Sequence, residues 1–212
     1  MFWDSFRVAQ ELAHNMGMPV AVDIPETTSA PPHKLWTREE CAALERAGVL
    51  DMDRYELIGG ELVLRMGKNQ PHMVVQALLY GWLHGLFGTL VALQDPTIDL
   101  HPDENATNEP QPDVVVLDRS IRTISGRPRP EHLLFVAEVS DTTLSFDLTV
   151  KAGLYARAGI PEYWVLDLNE RRLIVHRRPE SGRYLDVVGY LEDESVATLA
   201  APAAMVRVGD LF

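Results

Sequence analysis

The chain has 212 residues, of which 46% are hydrophobic and 24% charged, and its 31 acidic against 19 basic side chains give a net charge of −12. That size supports one domain with a full core, and the balance is that of a globular chain with no run long enough to span a bilayer. The charge excludes a broadly basic nucleic-acid binder, since an acidic surface repels phosphate at long range; such a partner needs a local basic patch or metal ions.

Taken in chain order, residues 1–33 hold a short amphipathic stretch and then PVAVDIPETTSAPP, whose prolines and small polar residues oppose regular structure, so an N-terminal arm is expected there, with one domain over 34–212. The start, MFWDSFRVAQELAHNMGM, lacks the basic region, apolar run and cleavage site of a secretory signal, which makes the cytoplasm the expected compartment, with no membrane partner. From Thr37, TREECAALERAGVL carries an N-cap, an acid three residues on and helical spacing, closed by Gly48. Its Cys41 is the single cysteine and reads as a small buried hydrophobe rather than a reactive thiol. YELIGGELVLRM alternates on both sides of Gly59-Gly60, which predicts a β-hairpin.

Pro71 opens the strongest helix, with Val74, Leu78, Leu79, Trp82 and Leu86 as its expected core face. TLVALQDPTIDL, PDVVVL and HLLFVAEV then read as strands of a sheet centre, DLTVKAGLYARAG as a helix stopped by Gly159, and YWVLDL, RLIVHRR and YLDVVGYL as further strands. This order predicts an α/β (α+β) domain built on a mixed β-sheet flanked by helices.

Two acids sit where an ionised group is costly. Asp113 heads the run VVVL and Glu138 lies near the end of LLFVAEV, and carboxylates in covered strands must be paired or hold a cation. Hard oxygen donors suit Mg²⁺, whereas the scattered histidines and lone cysteine offer no zinc pattern. Lys151 shares a helical face with Leu148, Leu154 and Tyr155, so it either points inward or forms an exposed i,i+4 pair with Asp147. Arg119, Arg122, Arg127 and Arg129, and separately Arg171, Arg172, Arg177 and Arg178, are candidate basic patches or solvated surface. No phosphate-binding glycine loop or G-x-S-x-G elbow is present.

The segments YELIGGEL, PHMVV, QPDVVVLD, AEVSDTTLSFDLTVKAGLYARAGIPEYWVLD and IVHR resemble the Uma family of bacterial putative restriction endonucleases, within the PD-(D/E)xK nuclease superfamily. The resemblance runs from about Leu35 to Tyr190 and implies a restriction-endonuclease-like fold. It implies a site of Asp113, Glu138 and Lys151, with Asp113, Glu138 and the Val139 carbonyl as metal ligands. Ser140 stands where E-x-K would place its lysine, and Lys151 matches the position on the following helix to which the family moves that residue. Glu61, in the GGEL turn, matches an acid that completes the metal shell or orients water, or else stands in solvent. His72 is a candidate for contact with substrate or Glu61, or a helix-start histidine.

The expected function is therefore Mg²⁺-dependent, or Mn²⁺-dependent, endonuclease hydrolysis of phosphodiesters in nucleic acid, DNA first, by a homodimer. The alternatives are a non-catalytic DNA-binding or interaction protein on the same fold and a phosphodiesterase with a non-DNA substrate.

Overall fold

Thr37 caps a helix as its sequence predicts. The computed structural model describes residues 33–65 and 67–212, so all but the last residue of the expected N-terminal arm lies outside the described residues. Helix α1 (Arg38–Arg46) opens with a full capping box, the Thr37 side chain accepting from Glu40 N and the Glu40 carboxylate accepting from Thr37 N. Strands β1 (Tyr55–Ile58) and β2 (Glu61–Leu64) form the hairpin. Gly59 and Gly60 both take positive φ, 60° and 83°, which a two-residue turn of this hand requires. At Gly60 a side chain is also sterically refused, since an added Cβ would lie 2.8 Å from Leu35 Cβ.

Helix α2 (Gln70–Phe87) starts at an Asn69 cap. Its core face is Val75, Leu79 and Leu83 with Gln76, and the expected face is corrected accordingly: Val74, Leu78 and Leu86 are exposed. The segment carries no Asp, Glu, Lys or Arg, so periodicity cannot distinguish its inner side from its outer side.

The apolar runs that follow pair into one six-stranded sheet in the order β3 (Ala92–Gln94), β4 (Val114–Leu117), β5 (Leu133–Ser140), β6 (Glu162–Asp167), β7 (Arg172–Glu180) and β8 (Arg183–Tyr190). Neighbours are antiparallel except β5 and β6. A parallel pair needs a crossover, supplied here by a helical segment: α4 (Leu144–Phe146), a π-helical turn (Asp147–Lys151) and α5 (Ala152–Arg157). A short helix, α3 (Pro102–Asn105), lies in the connection between β3 and β4.

Both faces of the sheet are covered. Leu154, Tyr155 and Ala156 pack on Val115, Val136, Tyr163 and Val165 on one side. On the other, α2 and the C-terminal residues Val206, Val208 and Leu211 enclose Phe135, Trp164 and Leu166. This is the mixed sheet flanked by helices that the element order predicts. The C-terminal residues also form a small ladder, β9 (Ser195–Val196) with β10 (Val206–Arg207), where the sequence pattern is weak. Among the described residues no helix is long and apolar enough to cross a membrane.

Candidate active site

The antiparallel register of β4 and β5 brings the two acids together. Val114 stands opposite Ala137, so continuing the ladder by one residue sets Asp113 opposite Glu138. The Val139 amide donates to Asp113 Oδ2 at 2.8 Å and fixes that carboxylate. Lys151, carried in by the crossover helix, is buried and donates to Glu138 Oε1 at 2.9 Å and to Glu56 Oε1 at 3.2 Å. Glu56 Oε2 lies closer, 3.0 Å from the ammonium, as an ion pair, and has no hydrogen-bond donor among the described residues. Tyr155, one turn on from Lys151, donates to the same Glu138 oxygen at 2.9 Å. The inward reading of Lys151 therefore describes the fold, and the exposed pair with Asp147 does not: both residues are buried, and Asp147 Oδ2 accepts from Ser140 and Thr143 at 2.8 and 2.6 Å.

Asp113, Glu138, Val139 and Lys151 line one cleft of about 420 Å³; His72 is not among the lining residues but reaches Asp113, its Nε2 3.2 Å from Oδ2. Glu61 is not brought there: it is exposed at the turn end of the hairpin, paired with Ile58, and is absent from the lining. The acid the hairpin contributes is Glu56, buried on β1 among Leu57 and Ile58. Sequence reasoning missed it, although the argument from a carboxylate inside an apolar strand applies to YELI as it does to VVVL. It also missed Lys68, Gln76 and Asp95. Lys68 Nζ contacts Asp113 Oδ1 and Gln76 Oε1 at 2.8 and 2.7 Å and pairs with Asp95, while Gln76 Nε2 donates to the Asp113 carbonyl at 2.9 Å.

The charges divide the site. Burial pushes the Glu138 carboxyl well above the usual carboxylate range, and Lys151 only partly opposes this. Burial also acts on Asp113, but His72 and Lys68 outweigh it and bring its pKa down to about 2. At Lys151 burial favours loss of the proton, yet Glu138, Glu56 and Asp147 outweigh it and hold the ammonium above its ordinary value. Lys151 is thus a fixed cation, suited to orient and stabilise anionic oxygen and unsuited to accept a proton.

The profile of the Uma2 family, described as "Putative restriction endonuclease", matches residues 38–206. The chain belongs to the Uma2 family. A crystal structure described as a putative nuclease from Anabaena variabilis is 14% identical to this Uma2 chain, with a TM-score of 0.60, covering 79% of this chain and 95% of that one. That likeness concerns the fold. No curated protein matches.

In this Uma2 chain the place of the absent E-x-K lysine is held by Ser140, whose hydroxyl goes to Asp147, while Lys151 reaches Glu138 from the next element. Among the described residues most of the charge of the arginine clusters is already paired, with Arg122 the exception. Seven of those eight arginines lie in ion pairs, with Asp118, Glu109, Glu131, Glu192, Asp167, Glu162 and Asp186 as partners. Among the described residues the cleft itself is lined by six carboxylates, Asp53, Glu56, Asp95, Asp113, Glu138 and Asp147, against Arg65, Lys68 and Lys151. No group of three or more His, Cys, Asp or Glu side chains there has metal-holding geometry. A Mg²⁺ ion does not need three, since it keeps several waters and takes one or two carboxylates. The donor set fits it: Asp113 is fixed by Val139 N, and both protein hydrogen bonds to Glu138 end on Oε1, leaving Oε2 available.

Proposed function

We propose that the chain is a metal-dependent endonuclease that hydrolyses phosphodiester bonds, with DNA as the substrate its family description favours. The observation that carries this reading is the 2.9 Å contact of Lys151 with Glu138, in the same cleft as Asp113. Asp113, Glu138 and the Val139 carbonyl would hold Mg²⁺ or Mn²⁺. When bound, the metal supplies Lewis acidity and a water of lowered pKa.

The chain's own residues do the rest. Lys151 stays protonated and presents its charge to the oxygen that becomes anionic. Glu56 and Tyr155 hold that ammonium and the Glu138 carboxyl in place from two sides. His72 pairs with Asp113 through Nε2 and is placed beside that carboxylate to contact substrate. Cutting both strands asks for two sites, and we place them in a homodimer; light scattering that finds only monomer at working concentration would remove that step.

The test is nicking of supercoiled plasmid with Mg²⁺ or Mn²⁺. Asp113→Ala and Lys151→Ala should lose roughly a hundredfold or more in rate while still melting cooperatively, the scale of losing one charge-stabilising donor. A Lys151→Ala variant that cuts like the parent ends the proposal. A second reading has its own observation: a cleft of about 420 Å³ has the size of a small-molecule site, which suits a small phosphodiester better than a duplex. Hydrolysis of bis(p-nitrophenyl) phosphate without nicking would select it. Retention of DNA with a steep salt dependence and no cleavage would point instead to a binding protein.

A further inference from the structure

We propose that Lys68 is a built-in counter-cation of the acidic cleft: its ammonium holds the Asp113 oxygen that a divalent metal would take, and the metal displaces it. This rests on the metal-dependent reading above.

Three oxygens from three elements surround Lys68 Nζ. Asp113 Oδ1, at the head of β4, lies at 2.8 Å; Gln76 Oε1, on α2, at 2.7 Å; and Asp95 Oδ1, just past β3, completes the set. The other Asp113 oxygen is committed, accepting from Val139 N at 2.8 Å and facing His72 Nε2 at 3.2 Å. Oδ1 is therefore the oxygen left for a cation, and it is the one Lys68 covers. Gln76 and Asp95 are themselves held: Gln76 Nε2 donates to the Asp113 carbonyl at 2.9 Å and to Asp95 Oδ1 at 3.1 Å, and Asp95 N donates to the Asp113 carbonyl at 3.0 Å. The shell is built from the framework, and the ammonium is the mobile part of it.

The residue type supports the same conclusion. The chain has three lysines among its 19 basic residues, so 16 are arginine, yet two of the three lysines line the cleft. A guanidinium is a planar fork and cannot enter a compact three-oxygen shell, whereas an ammonium is a point charge with three donors. The two cleft lysines differ in tether. Lys151 is fixed in the crossover helix with a side chain 7% exposed, and Lys68 lies between β2 and α2, outside helix and strand, with a side chain 24% exposed. Lys68 can withdraw towards solvent while sheet and helix stay as they are; Lys151 cannot.

Two measurements on the full chain test this. The first is Mn²⁺ affinity by electron paramagnetic resonance for wild type, Lys68→Met and Asp113→Asn. The second is acetylation of lysine amines read by mass spectrometry, which is clean because only Lys34, Lys68 and Lys151 can react on side chains. Lys34, with a side chain 57% exposed, serves as the internal reference. Removing the competing ammonium should tighten Mn²⁺ about two- to fivefold, the range of a partly exposed ion pair. Labelling of Lys68 in the wild type should rise severalfold with Mn²⁺ while Lys34 stays level, and Asp113→Asn should abolish the rise.

Binding of Mn²⁺ by the wild type with no change in Lys68 labelling overturns the counter-cation role and leaves the metal reading standing. So does a Lys68→Met protein that binds Mn²⁺ no tighter than wild type. Mn²⁺ binding by neither protein sinks the metal reading and this inference with it. The labelling arm needs no variant at Lys68, so a poorly folding Lys68→Met does not block the decision.

Discussion

Glu162 and Glu138 lie on neighbouring strands of the same sheet, both withdrawn from solvent, and the fold treats them in opposite ways. Glu162 is surrounded by donors: Trp164 Nε1, Arg177 Nε and Nη2, Thr198 Oγ1 and Leu199 N divide its two oxygens among them. Glu138 receives Lys151 and Tyr155 on a single oxygen, and burial pushes its carboxyl up. A carboxylate whose every lone pair is engaged ties the C-terminal segment to the sheet. Glu138, half-engaged beside Asp113, Glu56 and Lys151, keeps its second oxygen free of hydrogen bonds among the described residues, and this is the oxygen that the proposed metal site needs.

The largest effect should come from dismantling the satisfied cluster. Glu162→Ala leaves the Arg177 guanidinium, Trp164 Nε1 and Thr198 without their partner and should cost roughly 3–5 kcal/mol in urea unfolding, with Mn²⁺ affinity of the folded protein unchanged. A loss under about 1 kcal/mol would erase the contrast with Glu138.

Next is Asp113→Asn. Asp113 titrates at about 2 in the fold against an ordinary 3.8, so it adds stability above the higher value that disappears as pH falls towards the lower. That shift corresponds to about 2 kcal/mol, and the stability gap between wild type and Asp113→Asn should close by about that much between pH 4 and pH 2. A gap that stays constant across this window would show that the lysine and histidine do not act on it. Glu138→Gln should behave with the opposite sign. A carboxyl raised in the fold is best tolerated below its unfolded pKa and becomes a burden as pH climbs through the folded one. In chelator the Gln variant should therefore gain on wild type from pH 5 to pH 8, and a variant that loses ground would refute the half-engaged description. The smallest effect is expected at Glu61→Gln, within about 0.5 kcal/mol and with no change in nicking, as for an exposed turn residue.

The same contrast explains what the sequence could disclose. Hairpin, helices and strands were legible because Gly59-Gly60, Thr37 and the runs VVVL and LLFVAEV each carry a local signal. Asp113 and Glu138 were legible because a charge inside such a run is anomalous. Lys151 showed an ambiguous helical face that only the fold resolves. The turn motif makes Glu61 visible in the sequence, while the burial of Glu56 comes from how β1 is covered, which its sequence does not show. Lys68, Gln76 and Asp95 meet through contacts between residues 8 to 27 positions apart, which no periodicity encodes. The outer face of α2 could not be told from the inner one, since both are apolar.

The π-helical turn at Asp147–Lys151, in which Ala152 N reaches back to Asp147 O, has a further consequence. It is equivalent to one extra residue threaded into an α-helix, and each residue of an α-helix advances the chain by about 100°. The residues before the turn and the Leu154/Tyr155 face after it are therefore set at a phase that a regular helix would not give. Deleting Thr149 removes no charge and no core side chain. It would nonetheless let the helix run straight, so that either the core face or the ammonium must rotate away: the address of the site's cation is written in a residue count as much as in a residue type.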